Sequence, residues 1–367
     1  MNCDKNMSVG DGTVMAEDKI VFTGCKHAYL VMAHKDDETL RTLLRTLDDP
    51  RNDIFIHMDA KNTGWDENRA LASIDKAGIF FVPRISVTWG GYSQIACELG
   101  LLNAAVDKGR YTYYHLLSGQ DLPIKSQDRI HSFFDSCGGK EFVRFENHNR
   151  DYGSRIGGHV IWNAFGKSKT QIFLRKVDRL LARLLQLYRK PAEGLKLMKG
   201  DNWFSITDEL ARYIVENASL VRSVFWDSMC GDELFLQTFA WNTGKRFDFY
   251  RMPGEDNTDG IMRMIDWGED ESPRVLSMDD LDSISDSKMM FAESSTSRSI
   301  PISFERLNSS SANPSCLLRA GPTMGFCQLL PASSFALPSR STRTAGRWRR
   351  SRSRRNPRRA LAPTPRT

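Results

Sequence analysis

A short polar loop follows a run of strand-forming residues in the middle of the chain. The segment Tyr113–Ser126, YYHLLSGQDLPIKS, passes from apolar residues into Ser118-Gly119-Gln120-Asp121. Ligands of open α/β sheets bind beyond the carboxyl ends of the strands. Gly119 would let the backbone approach a ligand, and Asp121 would place a carboxylate beside it. The loop predicts the floor of a binding site; the alternative is a βα turn in which Asp121 caps the next helix.

Three further clusters of polar and small residues stand at predicted strand ends or helix starts. Asp59 follows IFIHM, the segment Thr88-Trp89-Gly90-Gly91-Tyr92-Ser93 precedes a helical pattern, and Asp232-Glu233 opens another helix. Carboxylates, aromatic rings and small residues in such places are typical of a site for a polar ligand, such as a sugar or a nucleotide.

Glu233 is the best candidate for a general base. A helix N-terminus holds a carboxylate ionised, so a base at this position needs burial or a neighbouring charge to raise its pKa. Asp232, the preceding residue, could supply that charge. The alternative is that the two acids only cap the helix.

Several classes of active site lack their motifs. The chain has no Walker P-loop, no GxGxxG and no GxSxG, so ATPase, Rossmann and serine hydrolase functions have no support. Its one DxD sequence, Asp280-Leu281-Asp282, follows no predicted strand, which favours helix capping over metal binding. Seven scattered cysteines without a CxxC pair indicate a reducing compartment and argue against a zinc site.

Apolar runs and helical patterns alternate through the first half of the chain. This order predicts an α/β fold with a mostly parallel sheet flanked by helices. The predicted strands are AYLVMAH (28–34), DIFIHMDAK (53–61), GIFFVPR (78–84), YTYYHLL and GDNWFSIT (200–207). The predicted helices are ETLRTLLRTL capped by Asp36 or Asp37, residues 93–109, a helix from Gln127, Lys167–Lys190, DELARYIVEN and LFLQTFAWN.

The charge of the chain is divided between two regions. Residues 293–367 contain fourteen Arg, two Glu and neither Lys nor Asp, whereas the whole chain has a net charge of only +6. We therefore expect a flexible leader at 1–25, one mildly acidic domain at 26–292, and a disordered tail rich in Ser, Arg and Pro at 293–367. No folded nucleic-acid module accompanies the tail, so we expect no specific nucleic-acid partner.

The sequence predicts a cytoplasmic location. The N-terminus lacks a signal-peptide pattern, and no apolar run is long enough to span a membrane. The basic amphipathic segment Lys167–Lys190 places Leu174, Val177, Leu181, Leu184 and Tyr188 on one side. We interpret it as a surface helix packed on the core, with peripheral membrane contact as the alternative.

Together these segments resemble the core-2/I-branching β-1,6-N-acetylglucosaminyltransferases, bacterial type, and the related protein O-xylosyltransferases. The resemblance covers Lys26–Ala292. It is carried by AYLVMAHKDDETLRTLLRTL, IFIHMDAK, VTWGGYS, HLLSGQDLPIKS, GDNWFSIT, GDELFLQT and RMIDW…SPRVLSMDDLD…FA, in the family's order.

The resemblance implies a GT-A-like fold and inverting transfer of a sugar from a UDP-sugar to a glycan or glycolipid acceptor, without a cofactor or divalent metal. GlcNAc from UDP-GlcNAc is the first expectation, protein O-xylosylation with UDP-xylose is the second, and a non-catalytic UDP-sugar-binding protein is the alternative of another class. Glu233 matches the family's base, and Trp203 lies where the family lines its cleft. Asp232 and Glu146 are candidates for the acceptor side or the cleft. Glu146, like Arg144, Arg150 and Arg155, either faces an acceptor or is solvated. The residues that match the nucleotide-sugar side are Asp59, Trp89, Gly90, Ser93, Ser118, Gly119, Asp121 and Arg274.

The resemblance breaks off at Ala292. The family's closing motif, FA-(R/N)-K-F-D, supplies a Lys for the diphosphate, whereas this chain reads FAESSTSRS. Permitted codons for residues 292–307, read from the last base of the Ala292 codon, give RKFDVEVDPDIIRTL, which joined to Phe291-Ala292 becomes FARKFDVEVDPDIIRTL. We therefore predict that the tail is out of frame and that the chain as written is nearly inactive, because it lacks that Lys; an ordinary disordered basic tail is the alternative.

Overall fold

The computed structural model describes residues 26–146, 150–156, 168–185, 193–244, 247–252, 259–266, 274, 276 and 278–293. The predicted leader, 1–25, and residues 294–367 of the predicted tail lie outside the described residues.

The described residues form strands and helices in the alternating order that the sequence predicts. The strands are β1 His27–Ala33, β2 Asn52–Met58, β3 Gly78–Phe81, β4 Tyr113–Ser118, β5 Asp121–Pro123, β6 Phe142–Val143, β7 Phe204–Ile206, β8 Arg263–Met264 and β9 Phe291–Glu293. The helices are α1 Glu38–Leu47, α2 Glu67–Leu71, α3 Ser93–Lys108, α4 Gln127–Ser136, α5 Lys169–Leu184, α6 Asp208–Glu216, α7 Ala218–Phe225, α8 Phe235–Asn242 and α9 Leu281–Asp286.

The predicted α/β class with a mostly parallel sheet is confirmed. In the described part of the chain, the larger sheet has six strands in the order β3-β2-β1-β4-β7-β6. β1 runs parallel to β2 and β4, and β2 runs parallel to β3. β7 is antiparallel to β4 and β6. The carboxyl ends of the first four strands therefore open at one edge, where a ligand site is expected.

The central strands are apolar because both faces of the sheet are covered. Ala28 and Leu30 of β1 pack into one core cluster, and Tyr29 and Val31 pack into another on the opposite face. α3 covers the first face, while α1 and α4 cover the second. Because successive side chains of a strand point to opposite faces of the sheet, β1 contributes residues to both cores.

Polar side chains cap the N-termini of α1 and α4 and so mark where each helix begins. Asp37 caps α1 by accepting a hydrogen bond from the Leu40 amide, as the sequence predicts. Ser126 caps α4 by accepting from the Arg129 amide. Asp121 instead begins β5, so the alternative that it caps this helix is wrong. Ser126 stands next to the first helical residue, which is where a cap must lie.

Three element predictions need correction. Asp59 lies just beyond β2, which ends at Met58. Gly231–Glu233 forms a 3₁₀ turn, and α8 begins only at Phe235. In α5 the predicted core-facing Leu184 is 69% exposed. Residues 186–190 of the predicted helix, including Tyr188, lie outside the described residues.

A small second sheet holds the end of the described chain against the predicted loop. In the described residues its order is β5-β9-β8, with β5 antiparallel to β9. Asp121 faces Glu293 across this pair, and Leu122 faces Ala292. The point where the family resemblance breaks off thus lies beside Asp121.

Candidate functional site

A cavity of about 630 Å³ opens at the carboxyl edge of β1 and β2. It contains two of the predicted nucleotide-sugar residues, Asp59 and Trp89. The lining residues are Met32, Ala33, His34, His57, Asp59, Lys61, Asn62, Val87, Trp89 and Gln94. A volume of this size, with aromatic, carboxylate and cationic groups at its wall, suits a small polar ligand.

Asp59 is held in place by the turn that follows β2. Its Oδ1 accepts a hydrogen bond from the Lys61 amide at 2.9 Å, and its Oδ2 lies 3.2 Å from Lys61 Nζ. The side chain of Asp59 is only 8% exposed, whereas that of Lys61 is 61% exposed. The wall of the cavity therefore offers one oriented carboxylate and one solvent-facing cation.

The loop before α3 requires glycine at Gly90. Its φ is 74°, a conformation that residues with a Cβ rarely adopt. The Gly90 amide donates to Gln94 Oε1, and its carbonyl accepts from the Cys230 amide at 2.9 Å. Trp89 projects 42% exposed from this fixed turn. The Ser93 hydroxyl accepts from the Thr88 amide at 2.8 Å, which closes the loop at the start of α3.

Gln94 joins this loop to the predicted catalytic turn. While its Oε1 accepts from Gly90, its Nε2 donates to Asp232 Oδ2 at 2.9 Å. Asp232 is buried, and burial together with the charge of Glu233 raises the pKa of Asp232 to about 7. Gln94 therefore connects the Gly90 loop to a buried carboxyl whose pKa is raised.

Glu233 stands in a cluster of alternating charges. Its Oε2 lies 3.2 Å from Lys199 Nζ and 3.5 Å from Arg155 Nη1. Lys199 Nζ also donates to Glu146 Oε1, so one ammonium bridges two carboxylates. Burial lowers the pKa of Lys199, but the hydrogen bond to Glu146 and the charge of Glu233 outweigh it and leave that pKa above its ordinary value. The Glu233 side chain is 33% exposed and open to an incoming group.

The turn that carries Glu233 has little freedom. Cys230, just before it, has a φ of 50°, which is uncommon for a residue other than glycine. A Cβ on Gly231 would lie 2.0 Å from Ser228 Oγ and 2.9 Å from Ile95 Cδ1. The turn is therefore pressed against α3, and only glycine fits at its first residue.

The Ser118–Asp121 loop lies directly behind the cavity wall. The Gly119 amide donates to the Met32 carbonyl at 2.8 Å, and a Cβ on Gly119 would come within 3.0 Å of Ala33 Cβ. Met32 and Ala33 both line the cavity. Glycine is therefore needed here for contact with β1, a role distinct from the predicted approach to a ligand.

Asp121 is a fully buried carboxyl with specific donors. Its Oδ2 accepts from the Ser118 amide at 2.7 Å and from Trp203 Nε1 at 3.0 Å. Burial raises the pKa of Asp121 to about 6, although these hydrogen bonds and the charge of Arg263 oppose the shift. The structure thus brings together Asp121, from the nucleotide-sugar prediction, and Trp203, from the cleft prediction.

Sequence reasoning missed the buried cation in this region, Arg263. It donates to the Leu116 carbonyl at 2.7 Å and the Phe204 carbonyl at 2.9 Å, tying the two sheets together. Burial lowers the pKa of Arg263 to about 10, while the charge of Asp121 acts to raise it. Its position in the RMIDW segment was the available signal.

Arg274 is placed in an ion-pair group of its own. Its Nη2 lies 2.8 Å from Asp266 Oδ2 and 2.7 Å from Asp280 Oδ1, and the residue is exposed. Asp280 occupies the N-cap position of α9 but makes no capping hydrogen bond through its side chain. The capping interpretation of the DxD sequence is therefore wrong in detail. Across the described ranges, no group of three or more His, Cys, Asp or Glu side chains is arranged to hold a metal ion.

Arg155, which the sequence left as either acceptor-facing or solvated, lies beside Glu233. Sequence reasoning missed Lys199 and Gln94 as members of the site. Lys199 directly precedes the GDNWF segment, and Gln94 directly follows Ser93, so both stand beside predicted motifs. Their contacts join segments that are far apart in the chain: Gln94 bonds to a residue 138 positions away.

Comparison with known proteins identifies a family that the chain matches. A model of the Core-2/I-Branching enzyme family matches residues 27–286. A human N-acetyllactosaminide β-1,6-N-acetylglucosaminyl-transferase is 24% identical over 253 residues, covering 66% of this chain and 58% of that protein. A cattle β-1,3-galactosyl-O-glycosyl-glycoprotein β-1,6-N-acetylglucosaminyltransferase 3 is 21% identical, covering 65% of this chain and 53% of that protein. The chain thus spans a little over half the length of the curated relatives it matches.

Among solved structures, mouse xyloside xylosyltransferase 1 aligns over 73% of this chain and 98% of its own, at 8% identity and a TM-score of 0.30. HddC from Yersinia pseudotuberculosis aligns over 51% of this chain and 78% of its own, at 10% identity and a TM-score of 0.26.

The sheet order, with its antiparallel strand β7 beside β4 and its cavity at the carboxyl edge, defines an α/β protein whose ligand site lies beyond the ends of parallel strands. The family match extends over most of that fold. The chain belongs to the Core-2/I-branching enzyme family.

Proposed function

We propose that this protein is an inverting, metal-independent glycosyltransferase that moves N-acetylglucosamine from UDP-GlcNAc to a hydroxyl of an acceptor sugar on a glycan or glycolipid. Membership of the family supports transfer of a sugar, and the names of the human and cattle relatives describe β-1,6-N-acetylglucosaminyl transfer by those proteins. The observation that carries the proposal is the link from the cavity through Gln94 to Asp232 and Glu233.

Glu233 acts as the general base in this reaction. The acceptor oxygen attacks the anomeric carbon, the bond from that carbon to the diphosphate oxygen breaks, and UDP leaves from the opposite face. The hydroxyl proton passes to a Glu233 oxygen. Lys199 and Arg155 orient the carboxylate, and the partial exposure of Glu233 leaves room for the acceptor.

The UDP-sugar binds in the cavity beside Asp59 and Trp89. The carboxylate of Asp59 can accept hydrogen bonds from a base or ribose, and the exposed ring of Trp89 offers a flat apolar face. Basic side chains offset the charge of the leaving diphosphate in place of a metal ion. Arg274 would take this role only by exchanging Asp266 and Asp280 for the diphosphate. Under this assignment, EDTA leaves the rate unchanged, whereas a metal-dependent reaction would stop.

We also propose that the reading frame of the gene changes after Ala292. Ala292 lies in β9, and the next residue, Glu293, faces Asp121, which places two acidic residues opposite each other. Opposed like charges disfavour a strand pair. In the corrected frame an Arg would stand opposite Asp121, and a Lys would follow it beside the Ser118–Asp121 loop. Loss of that Lys would lower the rate by about 10²–10³.

The test compares four forms in an assay of UDP release with sugar acceptors. The frame-corrected chain should turn over UDP-GlcNAc, and the chain as written should be slower by about 10²–10³. Within the corrected frame, Glu233→Gln should abolish turnover while UDP binding measured by calorimetry remains. Glu209→Gln, an exposed acid at the start of α6, is the matched control and should retain full turnover.

Other results would point elsewhere. Turnover of UDP-xylose with a serine peptide, but not of UDP-GlcNAc, would replace the donor and acceptor with those of protein O-xylosylation. UDP binding without product in any form would make the chain a UDP-sugar-binding protein. Equal rates for the two reading frames, or an unshifted gene sequence at codon 292, would refute the frame change.

A further inference from the structure

Helix α5 presents an apolar strip to solvent. Phe173 is 64% exposed, Leu180 is 56% exposed and Leu184 is 69% exposed. These residues are spaced at i, i+7 and i+11, so they lie along one side of the helix. Large apolar side chains scattered singly over a surface are ordinary, but three in line on one helix form a continuous contact face.

Cationic residues border this strip. Lys169 and Lys176 are exposed, and they fall beside the apolar residues on the helix surface. The sequence of α5 contains five Lys or Arg and a single acid, Asp178, which is buried. The solvent-facing side of α5 is therefore apolar along one strip and positive along its border.

We propose that α5 docks the protein on an anionic lipid surface. An apolar strip bordered by Lys and Arg is the pattern by which a helix lies in a membrane interface, with its apolar side chains among the acyl chains and its cations at the headgroups. None of the described helices is long and apolar enough to cross a membrane. Docking along the surface is the mode that the charge and exposure of α5 fit.

The position of α5 connects this surface to the cavity. The guanidinium of Arg175 lies 5.8 Å from the centre of the Trp89 ring, which lines the cavity. Arg175 follows Phe173 by two positions and so lies on the opposite side of α5 from the apolar strip, which means that docking places the helix between the headgroups and the rim of the cavity. The inference does not depend on the proposed reaction, because lipid binding is measured without donor or acceptor.

The experiment measures sedimentation of the full chain with vesicles of phosphatidylcholine alone and with equimolar phosphatidylcholine and phosphatidylglycerol, at low and high salt. The test variant is Phe173→Ser/Leu180→Ser/Leu184→Ser. The matched control is Leu71→Ser/Leu220→Ser/Met252→Ser, which removes three apolar side chains of similar exposure from other surfaces. Circular dichroism establishes that both variants are folded.

Measurement at high salt distinguishes lipid binding by α5 from lipid binding by the arginine-rich tail. Salt screens the attraction of the tail to anionic lipids, whereas insertion of apolar side chains persists. We expect a measurable fraction of the wild-type protein to remain bound to anionic vesicles at high salt. The α5 variant should lose at least about tenfold in partition coefficient under those conditions, and the control should change less than about twofold.

Two outcomes would overturn the proposal. Equal binding by the α5 variant and the control would assign any membrane affinity to the tail. A wild-type dimer in the absence of vesicles that becomes a monomer only in the α5 variant would show that a second copy of the chain covers this strip.

Discussion

Trp203 Nε1 donates a hydrogen bond to Asp121 Oδ2 across 3.0 Å, and this contact joins two segments 82 residues apart. The same oxygen accepts from the Ser118 amide, so Asp121 fixes the loop that backs the cavity. Since the carboxyl is fully buried, each donor matters more than it would in water. The contact makes the predicted floor and the predicted cleft parts of one structure.

Trp203→Phe should therefore lower the free energy of unfolding by about 1–3 kcal/mol, because a buried carboxyl loses a donor while the apolar bulk of the ring is largely kept. Urea denaturation measures the change. Trp226→Phe is the matched control: Trp226 is 54% exposed, and its substitution should alter the free energy by less than about 0.5 kcal/mol. Equal losses in the two variants would mean that the bond to Asp121 contributes nothing.

Gln94 is expected to position the catalytic turn. Gln94→Leu keeps the approximate size of the side chain but removes both its bond to Gly90 and its bond to Asp232. In the frame-corrected protein, kcat should fall by about 10- to 100-fold, since a small displacement of the base is costly. Asn103→Leu, on the exposed side of the same helix, should keep full activity.

The division of this effect between kcat and KM separates positioning from folding. Gln94→Glu retains an acceptor for the Gly90 amide but sets a carboxylate against Asp232. It should recover donor binding, seen as a near-normal KM, while kcat stays low. An unchanged kcat in Gln94→Leu would remove Gln94 from the site.

Asp232 should make stability depend on pH in a specific direction. Its pKa is raised to about 7 in the folded protein, against about 3.9 for an ordinary aspartate. Between these values the folded state binds more protons than the unfolded state, so the contribution to stability is full at low pH and is lost as pH rises towards 7. In Asp232→Asn this loss of stability with rising pH should disappear. The free energy of unfolding should then change between pH 4 and pH 7 by on the order of 1–4 kcal/mol less than in the wild type.

Urea denaturation from pH 4 to pH 8 measures both proteins. An Asn at this position can still accept the bond from Gln94 Nε2, so the variant should remain folded. Asp227→Asn, at a neighbouring loop position, is the control and should preserve the wild-type slope. A difference between wild type and Asp232→Asn that does not vary with pH would contradict the raised pKa.

Local patterns in the sequence were sufficient for the strands and for two residues of the cavity wall. Apolar runs predicted β1 to β4, and the two aspartates before ETLRTLLRTL predicted a cap for α1, which Asp37 provides. The polar residues that follow β2 and precede α3 predicted the cavity residues Asp59 and Trp89. These features depend on neighbours in the chain, which a sequence displays directly.

The contacts that organise the site depend instead on distant segments. The bridge of Lys199 between Glu146 and Glu233, and that of Gln94 between Gly90 and Asp232, follow from how helices and sheets pack. A lysine or glutamine in isolation is normally a solvated surface residue, so nothing local marks these two. Leu184 illustrates the converse, since helical spacing put it on the core side and packing left it exposed.

Three buried histidines should make the protein sensitive to acid. His27 and His131 stack with ring centres 4.0 Å apart, and His115 Nε2 lies 3.1 Å from His27 Nδ1. Ser205 and Asn52 bond to the outer two rings. Burial lowers the pKa of all three imidazoles, and Arg51 adds to the effect at His27 and His131 while Arg263 adds to it at His115.

Acidic groups face the same cluster without reversing the shift. Asp135 Oδ1 lies 3.9 Å from His27 Nε2, and Asp49, Asp128 and Asp135 act to raise the pKa of His131. The rings Tyr29, Tyr113 and Phe134 pack against the histidines and keep water out. The folded state therefore holds neutral rings over a range where the unfolded chain takes up protons.

The histidine contribution to the free energy of unfolding should therefore fall as pH drops below about 6.5, where unfolded histidine becomes charged, and it is opposite in direction to the contribution of Asp232. His115→Gln, which can still bond to Ser205, should reduce the slope between pH 5 and pH 6.5, and His34→Gln, an exposed histidine at the cavity, should change it less. Urea denaturation at matched ionic strength gives the slopes. A slope left unaltered by His115→Gln would mean that the buried imidazole is accommodated as a cation.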